Sequence, residues 1–251
     1  MNTLKKKMVK AYRTELNKKV ILDPYLLDIA IKNQDHFFLK GATHANYLKM
    51  VNFLNIFFKD KEILDWGSGK GHISYLLKKI SKLIISCDVD SGHDDSSFFK
   101  QRPILDDHQI KVKKLDHYYK LPFDRNKFDL VTSFGVLEHV QSDEQSLREL
   151  SRVIKKNGYL YISFLPYRYS WTQNISHLLG NYYHERLYTK KKIIELIDNA
   201  GFEIIFLEHG QLFPKNKLPY YDLVEKFDRF LTCYTPLKYL ATNLELLLKK
   251  K

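Results

Sequence analysis

The sequence predicts an α/β chain in which a doubly wound, mostly parallel sheet carries helices on both faces. Three observations lead there. From residue 62 onward strand-like and helix-like segments alternate, the first such strand runs into "GSGKG", and the second closes on an acid, Asp88. Such alternation implies parallel strands joined by right-handed crossovers, with both faces of the sheet buried. At 251 residues and 44% hydrophobic, the chain can bury one sizeable core, so one main domain with additions is expected.

The elements follow in order. Leu4, Met8, Ala11 and Tyr12 recur among lysines in residues 1–20, the pattern of an amphipathic helix with a basic outer face. "HANYLKMVNFLNIFF" repeats Tyr47, Leu48, Val51, Leu54 and Phe58 on one side, a helix suited to lying on the sheet. Then come the strand "EILDW", the helix "HISYLLKKI", the strand "LIISCDV", a polar helix near 95–101, and the strands "IKVKKL" and "FDLVTSF". Ser142 and Gln145 form a capping box for the next helix, with acids in its first turn and Lys155, Lys156 and Gly158 marking its expected end. "YLYISFL" at 159–165 reads as a buried strand. Thr189 caps "KKKIIELIDNA", which stops at Gly201 before the strand "FEIIFLE".

Beyond it, Leu223, Val224, Phe227, Phe230 and Leu231, then Leu237, Leu240, Leu244 and Leu247, are separated near Pro236 and predict two helices. The expected organisation is therefore an N-terminal helical segment at 1–59, a main domain at 60–210 with a lid-like insert at 166–188, and a C-terminal helical extension at 211–251.

Composition narrows the functional classes. Cys87 and Cys233 are far apart and in no metal-ligand spacing, which favours a reducing, cytoplasmic setting over a disulfide framework or zinc site. No apolar run has the length of a spanning helix, and the basic start lacks the apolar region of a secretion signal. The formal charge of +12 raises a polyanion partner, but the excess is largely lysine at the two ends, so nucleic acid is disfavoured. A basic end beside an apolar helix could instead rest on the inner, anionic face of a membrane.

In a doubly wound sheet the ligand lies beyond the carboxyl ends of the strands, where the first strand turns into the first helix. Gly67, Gly69 and Gly71 occupy that turn; without Cβ atoms they permit positive φ and a close approach of backbone N–H groups to a ligand. Asp88 lies 19 positions after Gly69, where a carboxylate can accept both hydroxyls of a ribose. The nicotinamide fingerprint needs G-x-G-x-x-G. Here the third glycine comes one position early and Asp65 precedes the first by two, which suits a cationic ligand better than a pyrophosphate.

"ILDWGSGKG", "CDVD", "KLDHYYKLPFDRNKFDLVTSFGVLEHV", "SRVIKKNGYLYISFLP" and "IIELIDNAGFEI" together resemble the class I S-adenosylmethionine-dependent methyltransferases, especially those acting on quinones, lipids and other small molecules. The resemblance spans about residues 60–210 and implies a Rossmann-like, seven-stranded fold with S-adenosyl-L-methionine as cofactor. It implies that Asp65, Trp66, Gly67, Ser68, Gly69 and Gly71 hold the methionine end and that Asp88 with Val89 holds the ribose. Asp116 and His117 then meet the adenine, and Ser133 and Phe134 form the wall beside the sulfonium. Some related quinone-ring enzymes bind a divalent metal through a glutamate three positions before a Glu-His pair; this chain has Gly135 there, so no metal is expected.

Methyl transfer from a sulfonium is an in-line displacement, in which alignment and dehydration of the acceptor carry much of the catalysis. For a hydroxyl acceptor a base helps, and "VLEHV" puts Glu138 and His139 just beyond the fourth strand, with His139 the candidate base. In the insert, Tyr167, Trp171, Tyr182, Tyr183 and His184 combine apolar faces with polar tips and are the acceptor-facing set; packing of the loop onto the domain is the competing role for each. The expected activity is O-methylation of a small-molecule or lipid- or sugar-linked acceptor. RNA or protein methylation, and a non-catalytic cofactor-binding relative, are the alternatives.

Overall fold

The strand Glu62–Trp66 (β1) alternates its burial sides: Ile63 joins one core and Leu64 the other, so it is covered on both faces. In the computed structural model, which describes residues 3–89, 102–117, 119–180, 184 and 186–251 (backbone only at 37 and 216), β1 lies inside a seven-stranded sheet. The other strands are Leu83–Val89 (β2), Lys111–Leu115 (β3), Phe128–Phe134 (β4), Ile154–Pro166 (β5), Phe202–His209 (β6) and Asn243–Lys250 (β7), in the order β3-β2-β1-β4-β5-β7-β6. β1 to β5 pair in parallel; β7 is antiparallel to both its neighbours. The doubly wound α/β architecture is thus as expected, and its direction of winding reverses between β1 and β4.

Four helices precede β1: Thr3–Asn17 (α1), Pro24–Lys32 (α2), His36–Leu39 (α3) and Ala42–Phe58 (α4). Asp23 caps α2 by accepting Leu26 N, and Pro24 occupies its first turn. α4 lies on the sheet, with Phe58 against Tyr159 and Phe53 against Tyr161. The crossover helices are His72–Lys78 (α5), Pro103–Asp107 (α6), Asp143–Val153 (α7), Trp171–Leu178 (α8) and Lys190–Asn199 (α9), and Asp222–Tyr234 (α10) follows β6. The Ser142 and Thr189 caps form as expected, accepting Gln145 N and Lys192 N. The polar helix near 95–101 falls outside the described residues.

Two expectations are corrected. α7 ends at Val153, and Lys155 and Lys156 belong to β5; Asn157 (φ +62°), not Gly158, takes the left-handed turn at a register shift between β4 and β5. Lys155 is held there by Glu62 at 2.8 Å and Asp129 at 3.0 Å. The second C-terminal helix does not form either. A 3-10 turn at Pro236–Leu240 leads into β7, which inserts between β5 and β6, so the extension is part of the sheet rather than an addition to it. Leu244, Leu246 and Leu248 enter one core and Leu247 the other; a short apolar run buried on both faces cannot be told from a helix by spacing alone.

Candidate active site at the strand switch point

The reversal between β1 and β4 opens the sheet edge at two loops, 67–71 after β1 and 135–140 after β4. The first is folded by its glycines, with φ of +76° at Gly67, +49° at Gly69 and +92° at Gly71. At two of them a protein neighbour fills the space a side chain would need. A Cβ on Gly67 would stand 2.3 Å from Val136 of the second loop, and one on Gly71 would stand 2.7 Å from Leu105. Gly69 instead makes a bond: its N–H donates to Asp88 Oδ2 at 2.6 Å, tying the turn to the tip of β2.

Asp88 is buried, and its other oxygen accepts from Val89 N at 2.8 Å. Burial raises its pKa, against the two N–H groups. Each carboxylate oxygen keeps a second lone pair for another donor. The hydroxyls of Ser68 and Ser133 are buried with no hydrogen-bond partner among the described residues. Asp65 is pinned inside the fold: it accepts from Ser74 Oγ at 2.5 Å and Thr132 Oγ1 at 3.0 Å, and burial lifts its pKa to about 6. It therefore fastens β1 to α5 and β4, and Trp66 beside it is buried in the core. Val89 is exposed, as are Asp116 and His117 beyond β3; His117 Nδ1 accepts from Tyr119 N and Lys120 N, shaping that turn.

The N-terminal helices roof the turn, which the sequence did not foretell. Asp35 pairs with Lys70 at 3.2 Å, and Phe38 stacks between His44 and His72 with centroids 4.5 and 4.1 Å away. Burial lowers both imidazoles to a pKa of about 4, so they stack as neutral rings. Tyr47 of α4 reaches Phe134 and Phe164 at the ends of β4 and β5. Phe164 holds φ +59° where β5 shifts register against β7, a strained backbone beside the site.

In the second loop Glu138 is buried and His139 half exposed. Glu138 Oε1 lies 3.8 Å from His139 Nε2 and 3.9 Å from His184 Nδ1 of the insert, and the two imidazoles are 5.4 Å apart. Burial raises Glu138 to about 7 and lowers His184 to about 4. These three donors lie within 4.8 Å of one another and could hold a metal ion. The loop is clasped by the far end of the insert: Tyr188 Oη donates to Leu137 O at 3.1 Å, and Arg186 to Val140 O at 2.7 Å.

Of the other insert residues, Tyr167 is buried against Tyr169 and His209, a packing position, and Trp171 Nε1 donates to Leu212 O at 2.8 Å, anchoring α8. Tyr182 and Tyr183 lie outside the described residues.

With Glu138 charged only above about pH 7, against about 4.5 when unfolded, its burial favours the folded state at low pH. Stability should fall as pH rises from 4.5 to 7, by about 3 kcal/mol at about 1.4 kcal/mol per unit, and level off above. Denaturation of Glu138→Gln should lack that fall; parallel pH curves for the two proteins would refute it.

Comparison with known proteins matches residues 64–162 to the methyltransferase domain family. The matched stretch runs from the glycine turn through Asp88 and the Glu138–His139 loop to β5. Those residues carry a methyltransferase domain. The domain shares 26% identity over 144 residues with a probable S-adenosylmethionine-dependent methyltransferase of Mycolicibacterium smegmatis, covering 57% of this chain and 52% of that protein. It is 27% identical over 111 residues to the ubiquinone biosynthesis O-methyltransferase of Pelagibacter ubique, covering 43% of each. The chain thus spans about half the length of these two curated relatives. The Coxiella burnetii ubiquinone biosynthesis O-methyltransferase matches at 22% over 198 residues, 72% of this chain and 79% of that protein. Among solved structures, an S-adenosylmethionine-dependent methyltransferase of Thermotoga maritima superposes with TM-score 0.57 at 17% identity, covering 90% and 99% of the two chains. A Haloferax volcanii methyltransferase complexed with the Trm112 activator gives 0.59 at 14%, covering 92% and 99%. These superpositions bear on the methyltransferase fold. The cofactor of the family is S-adenosyl-L-methionine, and no helix among the described residues is long and apolar enough to cross a membrane.

Proposed function

We propose that the chain transfers the methyl group of S-adenosylmethionine to a hydroxyl oxygen of a small-molecule or lipid- or sugar-linked acceptor. The observation that carries this reading is the pairing of the two loops: Gly69 and Asp88 on one side of the switch point, Glu138 and His139 on the other. The site residues fit the cofactor. Asp88 has lone pairs for ribose hydroxyls, Ser68 and Ser133 offer buried hydroxyls without protein partners, and the open backbone of the turn can lie against the methionine end. When bound, the cofactor supplies a methyl carbon already activated by its positive sulfur. The chain's work is to hold the acceptor in line and take its proton. With Nε2 on the side of Glu138 at 3.8 Å, the imidazole of His139 takes the acceptor's proton at Nδ1, and Glu138, ionised above about pH 7, stabilises the imidazolium that results. Names of relatives that methylate oxygen in ubiquinone biosynthesis support a hydroxyl acceptor. A cytoplasmic location and a role without nucleic acid fit the same reading.

A second reading has an observation of its own. Glu138, His139 and His184 could hold a divalent cation that would lower the acceptor's pKa in place of a base. One experiment addresses both: incubation with isotopically labelled methyl donor and fractionated metabolites, with and without chelator. Label should enter a base-stable methyl ether with or without chelator. Activity abolished by chelator and restored by added cation favours the second reading, and label appearing only in RNA or protein contradicts both.

A further inference from the structure

α10 is built inside out. Glu225, Asp228, Arg229 and Thr232 form its buried face, while Leu223, Phe227, Phe230 and Tyr234, at i, i+4, i+7 and i+11, form an apolar stripe turned to solvent, 80% exposed at Leu223 and 70% at Tyr234. A helix with both faces to choose from would bury the stripe. Its rotation is fixed by ionic contacts instead: Glu225 meets Lys49 at 3.2 Å and also Lys215, Lys215 meets Asp228 at 3.4 Å, and Asp228 Oδ1 accepts from Leu212 N and Phe213 N at 2.8 and 2.9 Å. Arg229 donates to Gly210 O at 2.6 Å. The turn at Pro236–Leu240 prolongs the patch with exposed Leu237 and Leu240.

The stripe has a basic border. Tyr234 shares a groove with Lys6, Lys10 and Arg13 of α1, and Lys6, Lys7 and Lys10 are all exposed. The single acid of α1, Glu15, is buried against Lys18. We infer that this face docks on an anionic lipid bilayer, the stripe entering the headgroup boundary while the α1 lysines meet lipid phosphates. Apolar and aromatic side chains bordered by lysines on the α1 side match such a surface. A second copy of the chain carries the same basic border, so pairing through this face would gather like charge. α8 and the loop at Leu212, joined through Trp171, tie this face to the insert at the carboxyl edge of the sheet, the edge from which an acceptor enters. The inference deepens the lipid-linked option of the reading above and rests on it for its purpose, but its test needs no methyl donor, so either can fail alone.

The test is co-sedimentation of the full chain with vesicles of phosphatidylcholine, pure or mixed with phosphatidylglycerol. The protein should pellet with the mixed vesicles and stay in solution with the pure ones. F227S/F230S, at side chains more than half exposed, should keep the wild-type melting temperature and lower partitioning at least tenfold. K6E/K10E should lower it by about the same factor, given about fivefold per lysine at a charged surface. Equal partitioning to both vesicle types, or binding unaffected by either variant, overturns the inference. So does a wild-type dimer in light scattering that F227S/F230S dissolves, which would assign the stripe to a second copy.

Discussion

Replacing His139 with alanine should lower kcat by about 10²- to 10⁴-fold, the usual contribution of a positioned base, while affinity for the cofactor stays within a factor of about two. The split follows from geometry. His139 sits in the loop after β4, and Asp88 and Gly69, the proposed cofactor-holding pair, sit across the switch point. Its carboxylate partner, Glu138, is held in place by burial and by the Tyr188 and Arg186 clasp on the neighbouring carbonyls, so removal of the imidazole should leave the loop intact. Calorimetry with the demethylated cofactor and turnover with an identified acceptor measure the two quantities. Equal loss of both would make His139 a structural residue, and unchanged turnover at every pH would remove it from the reaction.

The largest stability effect is expected far from the site. Glu245 in β7 is fully buried and gathers three distant elements: Tyr12 of α1, Tyr161 of β5 at 3.2 Å and Arg229 of α10 at 4.0 Å. Burial raises its pKa while Arg229 opposes the shift. Glu245→Ala leaves a buried guanidinium short of its counter-charge and two buried phenols without an acceptor. Loss of one partner from such a buried set costs about 3 to 5 kcal/mol. For a chain of this size that lowers Tm by roughly 6 to 20 °C. Glu245→Gln, which keeps the shape and one acceptor, should lose less. A melting temperature within about 2 °C of wild type for Glu245→Ala would show that the cluster adds nothing to stability.

The same residue shows where the sequence could and could not be read. β1, the glycine turn, α5 and Asp88 are legible because their signals are local: an apolar run, residues able to take positive φ, and an acid at a strand end all lie within 27 positions of one another. The cap residues Ser142 and Thr189 are legible for the same reason. β7 is not, because Leu237, Leu240, Leu244 and Leu247 fit a helical stripe as well as a strand buried on both sides, and only pairing with β5 and β6 decides. Nor is the Tyr12–Glu245 contact, whose partners are 233 positions apart.

In the candidate site, sequence alone brought out the acid and the glycines but not their division of labour. Gly67 and Gly71 are glycine because Val136 and Leu105 occupy the space of a side chain, a constraint invisible without the fold. The roof is not legible in sequence because Phe38 and Tyr47 read as ordinary helix packing residues and Asp35 as a helix cap. His184 came into view as a lid residue, yet its approach to Glu138 belongs to tertiary structure. α10 gave no warning of its inversion, since an apolar stripe in sequence is normally the buried one.

In the proposed function the Gly69 turn and Asp88 together cup the adenosyl part of the cofactor. Titration calorimetry of S-adenosylhomocysteine against wild type and Asp88→Ala tests it most directly. Saturable binding is expected for wild type, with a loss of about 1.5 to 3 kcal/mol in the variant, about 10- to 150-fold in affinity, from removing charged hydrogen bonds. A folded Asp88→Ala protein that binds as tightly as wild type, or a wild-type protein that does not bind at all, would contradict it.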